Sequence, residues 1–340
     1  MILILQDSLE ASALKKLREF LGETNAEYRD VFLHDKSHIV ISSNWCGKSL
    51  DLERFSDVIE KIIDVKTEYQ LCTRDYHKEN SVIDLGNGIE FGSHKTVVMA
   101  GPCGIDSEYH LMKTAEFLAE KCGVKVFRAG AFKPRTSPYS FPGFEYEGLK
   151  LLAKVRDTFG MKIITEVKDD SHLDAVAECA DIIQIGTKSM YIYNMLTKCG
   201  KINKPILLKR SFMATIKEYL QAVDFIMAAG NPQVILCERG IRAFEPMTRF
   251  SLDVCSAALI NELSHLPMVL DPSHAMGRAK QVPMVAQAAA GMGVDGLLIE
   301  VHHDPSRSLT DKDQTISCEK FHELLPRLQT ICNAVGRTLI

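Results

Sequence analysis

Cationic side chains follow most of the short apolar segments between residues 97 and 299, at the point where each segment ends. Arginine suits bidentate contacts to phosphate or carboxylate, and lysine acts as a point charge. The cations are Arg128, Lys133, Arg135, Lys188, Lys209, Arg210, Arg239 and Arg242. Two groups, Arg135 with Thr136 and Lys188 with Lys209 and Arg239, would suit two separate anions. The alternative is salt bridging to Glu145, Glu147 or Glu166, which explains a single cation better than the whole set.

Four potential metal donors share the same positions at segment ends, namely Cys103, His274, Glu300 and Asp311. A thiolate, an imidazole and two carboxylates suit a divalent ion such as Mn²⁺, Fe²⁺, Co²⁺ or Zn²⁺. Taken singly, each residue has an ordinary structural explanation, because cysteine is often a small buried hydrophobe and Asp311 could be a loop carboxylate or helix cap. Spacing along the chain does not decide between these interpretations.

The elements that would position these side chains are strands alternating with helices. Eight apolar segments recur at 97–100, 124–127, 162–165, 181–185, 206–208, 234–236, 268–270 and 297–299. Helical patterns lie between them, for instance at 111–122, 148–159, 216–229 and 252–263, and another follows at 321–335. This count and size predict an α/β fold, a (β/α)8 TIM barrel over residues 95–340, whose active site lies at the C-terminal ends of the strands. A doubly wound open sheet is the alternative.

The first 75 residues predict a separate, small α+β unit. Their order reads strand, helix, strand, strand, helix, strand, with the second helix at 52–63 and the last strand at 66–72. That order is typical of a ferredoxin-like domain. Residues 76–94 predict a linker with a hairpin around Gly86-Asn87-Gly88. His34 and His38 fall in a strand–turn segment and are expected at the surface.

Composition limits the classes of function. The chain has 340 residues, 46% of them hydrophobic, and a formal net charge of −4. This acidic balance argues against a general nucleic-acid surface. The apolar stretch 283–301 contains Gln287, Asp295 and several glycines, so no membrane span is expected. The ten cysteines are scattered without a CxxC pair, and the N-terminus lacks a signal pattern, which together predict a cytoplasmic protein.

Seven motifs occur in the order found in one enzyme family. They are Ala100-Gly101-Pro102-Cys103, Lys133-Pro134-Arg135-Thr136-Ser137-Pro138-Tyr139-Ser140-Phe141, Ile183-Gln184-Ile185-Gly186, Leu207-Leu208-Lys209-Arg210, Cys237-Glu238-Arg239-Gly240-Ile241-Arg242, Asp271-Pro272-Ser273-His274 and Glu300-Val301-His302. The chain resembles the 3-deoxy-D-arabino-heptulosonate 7-phosphate (DAHP) synthases of the compact type related to 3-deoxy-D-manno-octulosonate 8-phosphate (KDO8P) synthases. The resemblance is strong over residues 80–335.

The resemblance implies a transferase that condenses phosphoenolpyruvate with erythrose 4-phosphate, the first step of the shikimate pathway to aromatic amino acids. It implies metal binding by Cys103, His274, Glu300 and Asp311, with Mn²⁺ expected and Fe²⁺, Co²⁺, Zn²⁺ or Cd²⁺ as alternatives. It further implies that Arg128, Lys133, Lys188, Lys209 and Arg239 bind phosphoenolpyruvate. Arg135 and Thr136 would bind the aldose phosphate, and Lys133 and His302 would lie at the reacting centre. A homo-oligomer, dimer or tetramer, and an aromatic amino acid effector at the N-terminal domain are also implied.

The sequence departs from the family pattern around the substrate mouth. Gly186-Thr187-Lys188 stands where Gly-Ala-Arg is usual, and Ala275-Met276 stands where a Ser-Gly pair is usual. Lysine keeps the charge but loses the planar fork of arginine. Three alternatives therefore stay open: a sister synthase acting on another phosphorylated aldose, a non-catalytic subunit that senses an aromatic amino acid, and a metal-dependent aldolase using pyruvate.

Overall fold

The computed structural model describes residues 1–42, 51–133, 137 and 139–340. Within residues 1–42 and 51–63, four antiparallel strands form one sheet: β1 (Ile2–Leu5), β2 (Tyr28–Leu33), β3 (Lys36–Ile41) and β4 (Ile59–Ile63). Their spatial order is β2-β3-β1-β4. Helix α1 (Ala11–Glu23) buries Leu17 and Leu21 in a core shared with Leu3 and Ile39. This strand order is that of the expected ferredoxin-like sheet.

The second predicted helix and the strand predicted after it are wrong. Residues 52–63 form a 3₁₀ turn at Glu53–Phe55 followed by β4, and residues 66–72 form no strand. The apolar spacing of Val58, Ile59 and Ile63 fits either a helix or a short strand. The free edge of β1 decides the outcome, because its backbone groups need partners and β4 supplies them in antiparallel register. Residues 43–50 lie outside the described residues.

The N-terminal unit contacts the barrel through its sheet and through the segment that follows β4. Helix α6 (Ile216–Met227) contributes Asp224, whose partly buried carboxylate accepts hydrogen bonds from the backbone of Leu71 (3.3 Å) and Cys72 (3.0 Å). The expectation of surface histidines is wrong for His38, which is 2% exposed and bonded to Tyr76. Strand β3 carries this histidine into the contact with Tyr76 of the linker.

A hairpin closes the N-terminal end of the barrel. Its strands β5 (Ile83–Asp84) and β6 (Glu90–Phe91) pair antiparallel around the predicted turn, where Asn87 has a φ of 53° between two glycines of positive φ. Asparagine and glycine tolerate this left-handed conformation better than other residues. Ile83, Ile89 and Phe91 pack against the side chains inside the barrel.

Eight parallel strands within residues 95–133 and 139–302 form a closed barrel. They are β7 (Lys95–Gly101), β8 (Val126–Arg128), β9 (Lys162–Val167), β10 (Ile182–Ile185), β11 (Ile206–Lys209), β12 (Val234–Glu238), β13 (Met268–Leu270) and β14 (Gly296–His302). Strand β14 pairs with β7 over five residues, which closes the sheet. The predicted barrel is therefore confirmed, and the open-sheet alternative is excluded.

Helices surround the strands, as the alternation predicted. Besides α6 they are α2 (Glu108–Glu120), α3 (Glu145–Phe159), α4 (Leu173–Cys179), α5 (Tyr193–Cys199), α7 (Val254–Leu263), α8 (Pro272–Met276), α9 (Val282–Gly291) and α10 (Cys318–Ala334). Two short strands, β15 (Ile316–Ser317) and β16 (Thr338–Leu339), extend the sheet at β14 and β7. Val97 and Met99 point into the barrel while Val98 and Ala100 pack outward. Both faces are thus buried, which explains the continuous apolar segments.

None of the helices in the described part of the chain is long and apolar enough to span a membrane. The nine cysteines among the described residues are all unpaired.

Candidate active site

The four predicted metal donors converge at the C-terminal ends of neighbouring strands. Cys103 follows β7, His274 lies in α8 directly after β13, Glu300 belongs to β14, and Asp311 lies in the loop after it. One donor atom of each lies within 4.8 Å of all the others. They meet because β14 pairs with both β13 and β7, which brings residues nearly two hundred positions apart to one edge.

One hydrogen bond and several short polar distances link these donors to one another. The Cys103 thiol donates to Asp311 Oδ2 at 3.0 Å. Nε2 of His274 lies 3.3 Å from Glu300 Oε1 and 3.8 Å from Asp311 Oδ2. The other ring nitrogen, Nδ1, lies 2.7 Å from Asp271 Oδ2. A carboxylate behind a histidine in this way fixes the ring and directs its free nitrogen at a metal.

Burial and neighbouring charges set the protonation states of the cluster. Burial, with Glu300 adding to it, raises the pKa of the Cys103 thiol to about 12. Burial alone would raise the pKa of Asp311 and Glu300, but His274 and nearby arginines hold the pKa of both below the usual range. The carboxylates are therefore charged, whereas the thiol stays protonated even though the Lys133 ammonium lies 2.9 Å from its sulfur. A divalent ion held by these donors would lower the thiol pKa, because a coordinating thiol loses its proton.

This donor set fits a divalent transition-metal ion. One sulfur, one imidazole nitrogen and two carboxylate oxygens converge from separate elements, and the combination of soft and hard donors suits Mn²⁺, Fe²⁺, Co²⁺ or Zn²⁺. The buried carboxylates would repel each other without a positive charge between them.

A polar cavity of about 210 Å³ lies beside the cluster. His274 and Asp311 form part of its wall, and so do four of the predicted anion-binding cations: Lys133, Lys188, Lys209 and Arg239. Among the described residues, Lys133, Lys209 and Arg239 form no ion pair with Glu145, Glu147 or Glu166, so the salt-bridge explanation does not account for them.

The cations of the cavity are held by buried groups. The Lys133 ammonium donates to the carbonyl of Cys103 at 3.0 Å and to its sulfur at 2.9 Å. Burial alone would lower the pKa of Lys133, but Cys103 and Glu166 outweigh it, so the pKa is raised. Lys209 contacts Asp271 at 2.6 Å, which links it to the back of His274. Lys133 therefore stays charged near neutral pH.

Arg239 has unmet hydrogen-bonding capacity. Its guanidinium lies over the Phe250 ring at 4.4 Å, and the residue is 5% exposed. Within the described residues no acceptor bonds its buried Nε and Nη1 atoms. Since buried donors in proteins are nearly always satisfied, these two nitrogens indicate an anionic ligand.

Two predicted site residues lie behind the cavity wall. Arg128 is buried and donates to Glu300 Oε1 at 3.0 Å, so it contacts the donor cluster on the side away from the cavity. His302 is buried, with Nε2 2.9 Å from Asp106 Oδ2, and its ring lies 5.2 Å from that of His110. Neither is among the described residues that line the cavity. Arg135 and Thr136 lie outside the described residues.

Sequence reasoning missed Arg249, Gln314 and Asp106. Arg249 lines the cavity and donates to Asp311 Oδ1 at 3.1 Å, while Gln314 donates to Glu300 Oε2 at 2.6 Å. Arg249 lies in a long loop between β12 and α7, away from any strand end, so position gave no signal. Gln314 could have been suspected because it lies on the same loop as Asp311.

Comparisons with known proteins agree with this geometry. Residues 77–335 match the DAHP synthetase I family. A phospho-2-dehydro-3-deoxyheptonate aldolase of Thermotoga maritima is 44% identical over 280 residues, 82% of each chain. A 2-dehydro-3-deoxyphosphooctonate aldolase of Legionella pneumophila is 30% identical over 261 residues, covering 71% of this chain and 94% of the relative. The crystal structure of a DAHP synthase from Thermotoga maritima superposes with a TM-score of 0.79 at 38% identity and covers 100% of this chain and 99% of its own.

The superposition spans the N-terminal unit as well as the barrel, and the family match covers the strand ends that carry all four metal donors. The barrel carries this cluster with a cation-lined cavity beside it, and the family match extends over most of the chain: the chain belongs to the DAHP synthetase I family.

Proposed function

We propose that this chain is a DAHP synthase, which condenses phosphoenolpyruvate with erythrose 4-phosphate to give DAHP and phosphate. The observation that carries the proposal is the cavity in which Lys133, Lys209 and Arg239 face the Cys103–His274–Glu300–Asp311 cluster. Phosphoenolpyruvate carries a phosphate and a carboxylate, and several fixed cations in one small cavity suit such a compact, doubly anionic molecule. A pyruvate aldolase would not need this density of charge.

The cations orient the substrate. Lys209 is fixed by Asp271, and Arg239 offers two buried donors, so these residues hold phosphoenolpyruvate with its C3 carbon toward the aldehyde. Holding two reactants in this geometry removes much of the entropic cost of a bimolecular reaction. A divalent ion held by Cys103, His274, Glu300 and Asp311 would supply Lewis-acid polarisation of the aldehyde oxygen.

Lys133 is proposed to act at the reacting centre. Its buried, charged ammonium lies at the boundary between the cluster and the cavity, where negative charge develops on the aldehyde oxygen as C3 bonds to the carbonyl carbon. Water then adds to C2 of the former enolpyruvate and phosphate leaves. For His302, the bond to Asp106 supports a positioning role rather than contact with substrate.

The aldose is proposed to be erythrose 4-phosphate because the segment Lys133-Pro134-Arg135-Thr136 is intact. The second candidate, a KDO8P-like synthase acting on a longer phosphorylated aldose, is favoured by the Legionella relative and by the changes around Lys188. Phosphate release from phosphoenolpyruvate, measured with a panel of aldoses, tests the assignment. We expect erythrose 4-phosphate to have the highest kcat/KM. A higher value for arabinose 5-phosphate would overturn the choice of aldose, and no turnover with any aldose would favour a non-catalytic, amino-acid-sensing subunit.

Residues 1–75 are proposed as a regulatory domain that binds an aromatic amino acid, joined by residues 76–94 to the catalytic barrel of residues 95–340. Val65, Tyr69 and Leu71 pack into the core that surrounds the barrel, so residues 66–75 support the barrel as well. We expect a chain beginning at residue 66 to keep catalysis and lose any inhibition by tyrosine or phenylalanine. A chain beginning at residue 76 serves as the matched comparison, because it also loses the Asp224 contacts. Unchanged inhibition of both truncated chains would place the sensor elsewhere.

Mn²⁺ is the proposed ion because the resemblance to the family implies it. The mixed donor set also suits Fe²⁺, Co²⁺ or Zn²⁺. A homo-oligomer and a cytoplasmic location are proposed from the family and from the unpaired cysteines.

A further inference from the structure

Two polar side chains outside the ligand cluster contact both of its carboxylates. Nη1 of Arg249 donates to Asp311 Oδ1 at 3.1 Å and to Gln314 Oε1 at 2.6 Å. Nε2 of Gln314 donates to Glu300 Oε2 at 2.6 Å. Arg249, Gln314 and the two carboxylates therefore form one hydrogen-bonded chain.

Arg249 and Gln314 each donate to one oxygen of a carboxylate, and the other oxygen of that carboxylate points toward the donor cluster. The second oxygen of Asp311, Oδ2, lies 3.0 Å from the sulfur of Cys103 and 3.8 Å from Nε2 of His274. The second oxygen of Glu300, Oε1, lies 3.3 Å from the same nitrogen and also accepts a hydrogen bond from Arg128 at 3.0 Å. In Asp311 the outer oxygen is held by Arg249 and the inner one faces Cys103 and His274. In Glu300 one oxygen is held by Gln314, and the other faces His274 and is held from behind by Arg128.

The backbone fixes Arg249 against the C-terminal end of α8, the helix that carries His274. The N–H of Arg249 donates to the carbonyl of Met276 at 3.4 Å, and that of Phe250 donates to the carbonyl of Ala275 at 2.9 Å. A Cβ atom at Gly277 would lie 2.4 Å from the Cβ of Arg249, so glycine is required for this approach. These contacts fix Arg249 against the end of α8 and thereby hold its position relative to His274.

Gln314 is the residue type that this position needs. It is 2% exposed, and its backbone N–H donates to the carbonyl of Asp311 at 3.2 Å. An amide can accept from a guanidinium through its oxygen and donate to a carboxylate through its nitrogen, and a glutamate could not make the second bond while ionised. The Gln314 amide therefore connects Arg249 to Glu300, and the orientation of the Glu300 carboxylate depends on where Arg249 lies.

We propose that Arg249 and Gln314 are positioning residues that fix the orientation of the Asp311 and Glu300 carboxylates and thereby set the affinity of the site for its divalent ion. The inference rests on the metal site of the proposed function. Removing partners of metal-binding groups typically weakens metal affinity about 10- to 100-fold. Since Arg249 also lines the cavity, direct contact with substrate is the competing explanation.

Co²⁺ titration distinguishes these explanations. The dissociation constant is measured by competition with a chelator, and ligation by Cys103 is followed by the near-ultraviolet charge-transfer absorption of a cobalt thiolate. We expect R249M and Q314L to weaken Co²⁺ binding about 10- to 100-fold. R249K should weaken it less, since a lysine can still reach one acceptor. The double variant R249M/Q314L should lose less than the sum of the single losses, because both belong to one network.

R307M is the matched control, because Arg307 is an exposed arginine paired with Asp304 and is not in contact with the cluster. It should bind Co²⁺ as the unaltered chain does. At saturating metal, kcat/KM of R249M should return to within a fewfold of the unaltered enzyme. Absence of the thiolate band in the unaltered chain would refute the proposed metal site itself. A normal band with unchanged affinity in R249M and Q314L would overturn the positioning role, and so would lost activity of R249M that added metal does not restore.

Discussion

The C-terminal end of the barrel, which we call the mouth, has buried ion pairs, whereas the N-terminal unit has exposed ones. At the mouth, the pairs Arg128–Glu300, Lys209–Asp271 and Arg210–Glu238 are at most 5% exposed. In the N-terminal unit, the side chains of the pairs Arg18–Asp30 and Lys36–Glu60 are between 34% and 52% exposed. The N-terminal unit buries an apolar core beneath its charges, whereas the barrel buries the charges themselves.

This difference separates the parts of the molecule that serve folding from those that serve chemistry. Taking ions out of water costs several kcal/mol each, and well-packed apolar residues would often be as stable. Buried ion pairs are therefore a poor device for stability, and their concentration at one end of the barrel indicates a requirement of the reaction. Exposed pairs carry no such cost and contribute little.

Loss of a metal donor should have the largest effect. We expect Cys103→Ala to reduce kcat/KM by about 10³-fold or more, equivalent to about 4 kcal/mol, because the only sulfur donor of the cluster within the described residues is removed. Circular dichroism should show a retained fold. Treatment with EDTA should abolish turnover of the unaltered enzyme, and Mn²⁺ should restore it. Cys255→Ala, which alters an exposed cysteine, is the control. Full activity after complete removal of metal would contradict the assignment.

Breaking a buried pair should cost far more stability than breaking an exposed one. Arg210 contacts Glu238 at 2.9 Å and Asp253 at 3.0 Å. Arg210→Met leaves these carboxylates without their cation and should lower the free energy of unfolding by about 3–5 kcal/mol. Arg18→Met should lower it by less than about 1 kcal/mol. Urea unfolding of both variants measures the difference, and equal losses would remove the contrast between the two regions.

Substitution of Lys188, a cation that lines the cavity at the mouth, should reduce activity. If it binds a substrate anion, Lys188→Ala should cost about 2–4 kcal/mol in kcat/KM, as expected for a lost charge-assisted contact. Lys188→Arg keeps the charge and should retain most of the activity. Lys201→Ala, at an exposed loop position, should change nothing. A harmless Lys188→Ala would remove this residue from the substrate site.

The smallest effect concerns the junction between the N-terminal end of the barrel and the segment that follows the N-terminal unit. His265 is buried there, with Nδ1 2.8 Å from the Ser81 hydroxyl and Nε2 donating to the Leu71 carbonyl at 2.9 Å. Burial, with His77 and His34 adding to it, lowers the pKa of His265 to about 4. As the pH falls below about 6.5, the unfolded chain binds a proton at His265, whereas the folded chain does not bind it until the pH nears 4. The stability that the neutral, buried ring contributes is therefore present above pH 6.5 and is lost as the pH falls toward 4.

The loss should amount to at most about 3 kcal/mol. We expect the thermal midpoint to fall between pH 7 and pH 4.5 and to fall less in His265→Gln, which cannot take up the proton. His34 and His38 act in the same direction, because burial lowers the pKa of each. An identical acid dependence in the variant would exclude His265 as a contributor.

The sequence was informative where residues act through their position at strand ends. Cys103, His274 and Glu300 could be assigned to one face because every parallel strand of a barrel ends on that face. Arg249 and Gln314 could not be found in this way, because loops set their position and contacts between loops leave no periodic pattern. The N-terminal helix predicted at 52–63 failed for a related reason: three apolar residues fit both periods, and pairing with β1 decided between them. Strands buried on both faces could be predicted from their continuous apolar segments. The secondary structure of a segment could not be predicted where pairing with a distant strand decides it.

The β5–β6 hairpin covers the packed interior of the barrel at the end opposite the mouth. Ile83, Ile89 and Phe91 seal the end opposite the mouth, so both substrates and both products must pass the same ring of cations. The phosphate released by the reaction leaves past the groups that attract the next phosphoenolpyruvate. Inorganic phosphate on its way out and phosphoenolpyruvate on its way in therefore pass the same cations, Lys133, Lys188, Lys209 and Arg239.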